Sequence, residues 1–241
     1  MSASEPGEVS RKSDFLSLPP EIRNEIYSLL VVSPKPIRIC SPRSKHQIKK
    51  TINPSNFCQL LCVNKQINAE SAMMFYAVNT FTIGNGPFGS KSITNLHAFQ
   101  AFIKRVPANH LGGIRRVDIE LFTRRWTRSL NAFCFGTLTD AKDLHSIART
   151  LTKHFKSLEV VNFSYEVDGP FWYGHQNWPR LTGAPLTREL TKILRTLLKN
   201  GTLVSIGAYS VGDVDMKAAV DEILKSTPAA EPILKILPLD P

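Results

Sequence analysis

Two amphipathic stretches near the start of the chain, FLSLPPEIRNEIYSLL at Phe15 to Leu30 and FCQLLCVNKQINAESAMMFYAVNTF at Phe57 to Phe81, constrain the fold more than any other feature. In the first, Pro19 and Pro20 stand where the opening N–H groups of a helix have no intrahelical acceptor. The missing donor is harmless there, and the fixed φ favours nucleation. Glu21 adds negative charge at the positive end of the helix dipole. Ile22, Ile26, Leu29 and Leu30 recur at helical spacing and predict one apolar stripe, with Arg23, Asn24 and Glu25 on the other side. The second stretch has start signals at Pro54 and Asn56, then a stripe of Leu60, Val63, Ile67, Ser71, Met74 and Val78. A buried aliphatic side chain contributes about 1.5 to 3 kcal/mol, so the stripes must cover each other, the following domain or a partner. Glu70, one turn from Gln66, is a carboxylate that could accept a buried hydrogen bond.

The order LSLPPEIRNEIYSLL, then LLCVNKQINAESAMMFYAVNTF, resembles the N-terminal module of F-box-like proteins abundant in filamentous fungi. Leu18, Pro19, Pro20, Glu21, Ile22 and Ile26 match the opening of that module, and Leu61, Val63, Asn64, Lys65 and Gln66 match its second part. The resemblance covers about a third of the chain. It implies docking on a Skp-type adaptor of a cullin-RING ubiquitin ligase, with the first set of residues as the adaptor-binding surface and the rest of the chain holding a protein substrate. The chain departs from the compact F-box in its long basic connection, Val32 to Asn56, which carries Lys35, Arg38, Arg43, Lys45, Lys49 and Lys50 and no carboxylate.

From residue 80 a helix-then-strand rhythm begins. Strands are predicted at Thr80 to Ile83, Ile114 to Leu121, Leu158 to Val167 and Leu203 to Tyr209. Helices are predicted at Ser92 to Val106, after Thr139, after Thr187 and at Asp213 to Lys225, with Thr139 and Thr187 as N-caps and Asn200-Gly201 as a C-terminal stop. The last three strand starts are 44 and 45 positions apart, the spacing of an irregular α/β repeat. Strands joined through helices should be parallel with right-handed crossovers. The fold class expected is therefore α/β: an F-box-like helical module at 14–79 with a basic insertion at 32–56, then repeats at 80–227 forming a mostly parallel sheet with helices on one face. A leucine-rich-repeat-like arc and a more closed layer both remain open, the arc being favoured by the resemblance. Residues 1–13 read as a disordered tail and 228–241 as a proline-containing one.

Parallel strands gather the loops that leave them along one edge, the usual ligand side of such sheets. Arg124, Arg125, Trp126 and Arg128 lie in one of these loops, and Trp172, Tyr173, His175, Trp178 and Arg180 in the next. Tryptophan and arginine are the commonest binding anchors, which makes this group the expected partner-recognition surface. A core internal to the loops is the alternative.

With Lys+Arg 30 against Asp+Glu 20, the net charge of +10 favours acidic surfaces, nucleic acid or anionic lipid. A nucleic-acid-associated protein using the Arg/Trp loops is accordingly the second functional reading. GNGPFG at Gly84 to Gly89 matches G-x-G-x-x-G in letters, but Pro87 removes a donor and the first carboxylate downstream is Asp118, so a turn is expected and no cofactor. Cys40, Cys58, Cys62 and Cys134 show no C-x-x-C spacing and the six histidines are scattered; reduced thiols, no metal site and no enzyme are expected. Neither a signal peptide nor a membrane-spanning run is evident, and an intracellular protein of cytoplasm or nucleus is expected.

Overall fold

The computed structural model describes residues 14–39, 59–84, 94–122, 138–166, 184–199, 201–208 and 214–237. Within them the chain lays down β1 (Ile37–Arg38), β2 (Thr80–Gly84), β3 (Arg116–Phe122), β4 (Val160–Glu166), β5 (Leu203–Ala208) and β6 (Leu234–Leu237) as one sheet. The strands lie side by side in chain order and every neighbouring pair is parallel. Parallel neighbours require a crossover each time, and crossovers of one hand place the helices on one face. The helices are α1 (Pro20–Val31), α2 (Lys65–Val78), α3 (Leu96–Arg105), α4 (Ala108–Gly113), α5 (Leu138–His154), α6 (Ala184–Leu198) and α7 (Val214–Ser226). They pack as a continuous layer, α1 on α2, α2 on α4, α3 and α4 on α5, α5 on α6 and α6 on α7.

Alternation along the strands explains the layering. The register aligns Phe81, Val117, Val161, Val204 and Leu234 in one row and Ile83, Ile119, Phe163 and Ile206 in another, and all of these are buried. Between the two apolar rows runs a polar one, Arg38, Thr82, Asp118, Asn162 and Ser205, pointing to the opposite side. The apolar rows meet Phe99, Leu144, Ile147, Leu151, Leu190, Ile193 and Leu197 from the helices, and Val31 and Phe75 from the N-terminal pair belong to the same cluster. Through Val31 and Phe75, α1 and α2 thus share one core with the repeats.

The expected α/β class with a parallel sheet is what the chain adopts, and β3, β4 and β5 begin within two residues of their expected starts. Gly201 ends α6 in the left-handed region, φ 72, donating its N–H to the Leu198 carbonyl. Other expectations need correction. Thr139 and Thr187 are not caps, because α5 already begins at Leu138 and α6 at Ala184, where Pro185 favours the first turn. The second N-terminal helix starts at Lys65, capped by the Asn64 side chain on the Ile67 N–H at 2.9 Å, while Pro54 and Asn56 lie outside the described residues. The stretch expected as a tail after residue 227 is a 3-10 turn, Pro228–Ile233, followed by edge strand β6. Likewise β1 lies within the expected basic insertion, where its two residues pair with β2. Among the described residues no helix is long and apolar enough to cross a membrane.

Gly84 ends β2 at φ 124, and a Cβ there would land on the Glu120 carbonyl oxygen of β3. Its place in the glycine-rich string is explained by sheet packing. Asn95, itself left-handed at φ 50, ties this corner by donating from its amide to the Ile39 and Gly84 carbonyls. Gly84→Ala should therefore lower stability by about 2 kcal/mol or more, read as a shift in the urea midpoint, since both φ and space forbid the methyl.

Candidate docking face

The helix α1 begins at Pro20, as its sequence requires, and is preceded by a 3-10 turn at Phe15–Ser17 capped by the Asp14 side chain. Its buried stripe is Arg23, Tyr27 and Val31, an i, i+4, i+8 series. Ile22, Ile26, Leu29 and Leu30, the apolar stripe read from the sequence, are rotated by about one residue from this packed face, and Arg23, on the other side of that stripe, lies inside. The reason is chemical. Arg23 donates through Nε and Nη2 to the two Glu70 oxygens at 3.0 and 2.8 Å, and through Nη1 to the Leu18 and Leu16 carbonyls at 2.6 and 3.3 Å. The Tyr27 hydroxyl donates to Glu70 Oε2 at 2.9 Å, and Gln66 Nε2 donates to Oε1 at 2.9 Å. A guanidinium with all three nitrogens hydrogen-bonded can lie buried, and its stem and the tyrosine ring then supply the packing on this face.

Four donated hydrogen bonds hold the Glu70 carboxyl well below the ordinary carboxylate value, at about 2, with the Arg23 bonds the largest cause and Gln66 next. Burial, then the bond to Glu70, pushes the Tyr27 hydroxyl up. At the far end of the pair, Asn79 donates to the Val31 and Phe75 carbonyls at 2.8 and 2.9 Å and accepts the Ser33 N–H at 2.7 Å. The hairpin is thus fastened at both ends by side chains from α2 and its C-terminal cap.

With α1 fixed this way, its apolar residues face outward. Leu29 is 84% exposed and Ile22 43%, Leu30 and Val32 are also exposed, and Ile26 is half-buried. Of the remaining residues expected to bind an adaptor, Pro19, Pro20 and Glu21 are exposed and Leu18 is half-buried with its carbonyl held by Arg23. On the second element Val63 and Met73 are 62% and 61% exposed, whereas Ile67, Ser71, Ala72 and Phe75 form the buried side. Of the second stripe read from the sequence, Val63 and Val78 point out while Ile67 and Ser71 lie inside. The Arg23–Glu70 pair was missed because polarity was read as exposure. An arginine and a tyrosine one turn apart, opposite an acid on the next helix, were the available signal.

The expected loop anchors Arg124, Arg125, Trp126, Arg128, Trp172, Tyr173, His175, Trp178 and Arg180 lie outside the described residues. On the sheet's polar face, Arg38 pairs with Glu120, leaving its Nη1 buried without a partner among the described residues, and Asn162 donates to Asp118 at 2.7 Å. Burial raises the Asp118 pKa, against the opposing pull of the Asn162 bond. Among the described residues no group of three or more His, Cys, Asp or Glu side chains could hold a metal ion. The chain matches no protein-family profile, no curated protein and no solved structure.

The linkage sign is definite. A depressed carboxyl pKa adds stability that is complete above its ordinary 4.5 and is lost as pH falls toward about 2. The stability difference between the wild type and Glu70→Gln should be largest near neutrality and shrink between about pH 5 and 2; a pH-independent difference in urea midpoints would contradict it. Asp118 acts in the opposite sense in both proteins and cancels in that comparison. Ser71 is fully buried and its hydroxyl has no partner among the described residues, so Ser71→Ala should raise stability by about 1 kcal/mol in the same assay.

Proposed function

We propose that this chain is a protein-interaction adaptor, an F-box-like substrate-recognition subunit whose α1 ridge engages a Skp-type component of a cullin-RING ubiquitin ligase. The observation that carries the reading is the outward placement of Ile22, Leu29 and Leu30 on a helix whose inner face is already anchored by Arg23, Tyr27 and Val31. A helix held through one face while a second apolar stripe stays in water is organised to meet something else. The resemblance of the LPPEIRNEIYSLL opening to F-box-like modules names what that partner would be. In this reading transfer chemistry belongs to other ligase subunits, the rest of the chain holds the substrate, and the protein works in the cytoplasm or nucleus.

The ridge also makes the test clean. Because Leu29 and Ile22 project into solvent, Leu29→Asp and Ile22→Asp should each leave the thermal midpoint within a few degrees of wild type, the usual size of a surface substitution. Affinity purification from the native cell should recover a Skp-type subunit and a cullin with the wild-type chain, and at least tenfold less with either variant. Undiminished recovery with both folded variants removes the ridge from the interface, and absence of both subunits from the wild-type sample removes the ligase.

A further inference from the structure

A cleft of about 840 Å³ opens between α5 and the C-terminal end of α6, far along the helix layer from α1. Its walls carry Lys142, His145, Arg149, Lys153 and His154 from α5 and Lys199 just beyond α6, and no carboxylate among the residues lining it. None of these six heads has an ion-pair or hydrogen-bond partner among the described residues. The contrast with the rest of α6 is direct. Lys192 pairs with Glu189 at 2.7 Å, and Arg195 reaches Glu222 of α7 at 3.6 Å. Arg195 is matched across to α7 and Lys192 within α6, whereas the six cleft heads are unmatched among the described residues.

We propose that this cleft binds the phosphate backbone of nucleic acid without reading its sequence. Lys142, His145, Arg149 and Lys153 follow one another at three- and four-residue steps, so they line one face of α5. At 1.5 Å per residue they extend over about 16 Å, too far for a single phosphate group and suited to a chain of them. The other lining side chains are Ser146, Thr150, Thr152 and Thr196. Thr150, Thr152 and Thr196 donate their hydroxyls back to helix carbonyls, which leaves the cationic heads as the outward donors. No aliphatic residue, tryptophan, tyrosine or phenylalanine lines the cleft. An acidic peptide would find no seat for an apolar anchor there, and a base would find no tryptophan, tyrosine or phenylalanine to stack on. What remains is charge paired with charge, the sequence-independent part of nucleic-acid binding.

The probe is a fluorescein-labelled mixed-sequence DNA duplex, titrated by anisotropy at several salt concentrations, against the wild type and the double variant Arg149→Glu/Lys153→Glu. Both positions are exposed, so the variant should fold, as circular dichroism would verify. The proposal expects at least a tenfold loss of affinity at low salt. It also expects the slope of log K against log salt to fall in magnitude by about two, one unit for each phosphate contact removed. Unchanged affinity and slope in the folded variant overturn it, because the duplex is then held by charge elsewhere on this +10 chain. Equal competition by a poly-glutamate of matched charge also overturns it, in favour of an acidic protein partner. Lysine acetylation of the wild-type complex gives an answer independent of any variant: Lys142, Lys153 and Lys199 should be protected by bound duplex, and full reactivity at all three places the ligand elsewhere. This site is separate from the α1 ridge, and either can fail without the other.

Discussion

A single carboxylate organises the pairing of α1 with α2. Glu70 on α2 receives Arg23 twice, Tyr27 once and Gln66 once, and Arg23 in turn holds the Leu16 and Leu18 carbonyls that lead into α1. Each of these polar groups would be unfavourable to bury alone, and together they leave few unsatisfied. Their arrangement sets the rotation of α1 about its own axis. That rotation decides which residues join the core and which face water, so the exposure of Leu29 is a consequence of where one acid sits 41 positions later.

Beyond the hairpin, organisation comes from repetition. Each strand adds one apolar and one polar position per two residues, the register carries these into continuous rows, and the helices cover only the apolar side. The N-terminal pair enters this scheme without a boundary. Phe81 in β2 meets Phe75 of α2 edge-on at 5.8 Å and Phe102 of α3 at 5.8 Å, and Tyr76 stacks on His110 of α4 at 5.3 Å, so aromatic contacts bridge the hairpin and the first repeat.

The parts of the fold legible in the sequence were those where hydrophobic period and burial coincide. Val117 and Ile119 against Asp118 and Glu120 announce β3, and Leu144, Ile147, Leu151 and Phe155 announce the inward face of α5. Legibility failed where a polar group goes inside or a signal is too short. Arg23 is buried through its partners, which no periodicity reveals. The two residues of β1 carry no pattern of their own and are strand only because β2 lies beside them. Thr139 and Thr187 have the chemistry of caps, yet helices already begun upstream absorb them. For the candidate docking face, Ile22 and Leu29 are legible as one stripe that must meet the rest of the chain or a partner, and the geometry of the Glu70 cluster turns that stripe to solvent. The basic cleft was invisible for a different reason. It joins α5 to Lys199, and nothing in a linear reading places that lysine beside α5.

Strand order identical to chain order has a consequence for how the molecule comes into being. Each new strand finds its neighbour already laid down, as Val160 finds Arg116 and Leu203 finds Val160, with no need to await a segment still to be made. A chain emerging from the ribosome can therefore consolidate strand by strand, one layer upon the last, with the growing edge belonging to the newest piece.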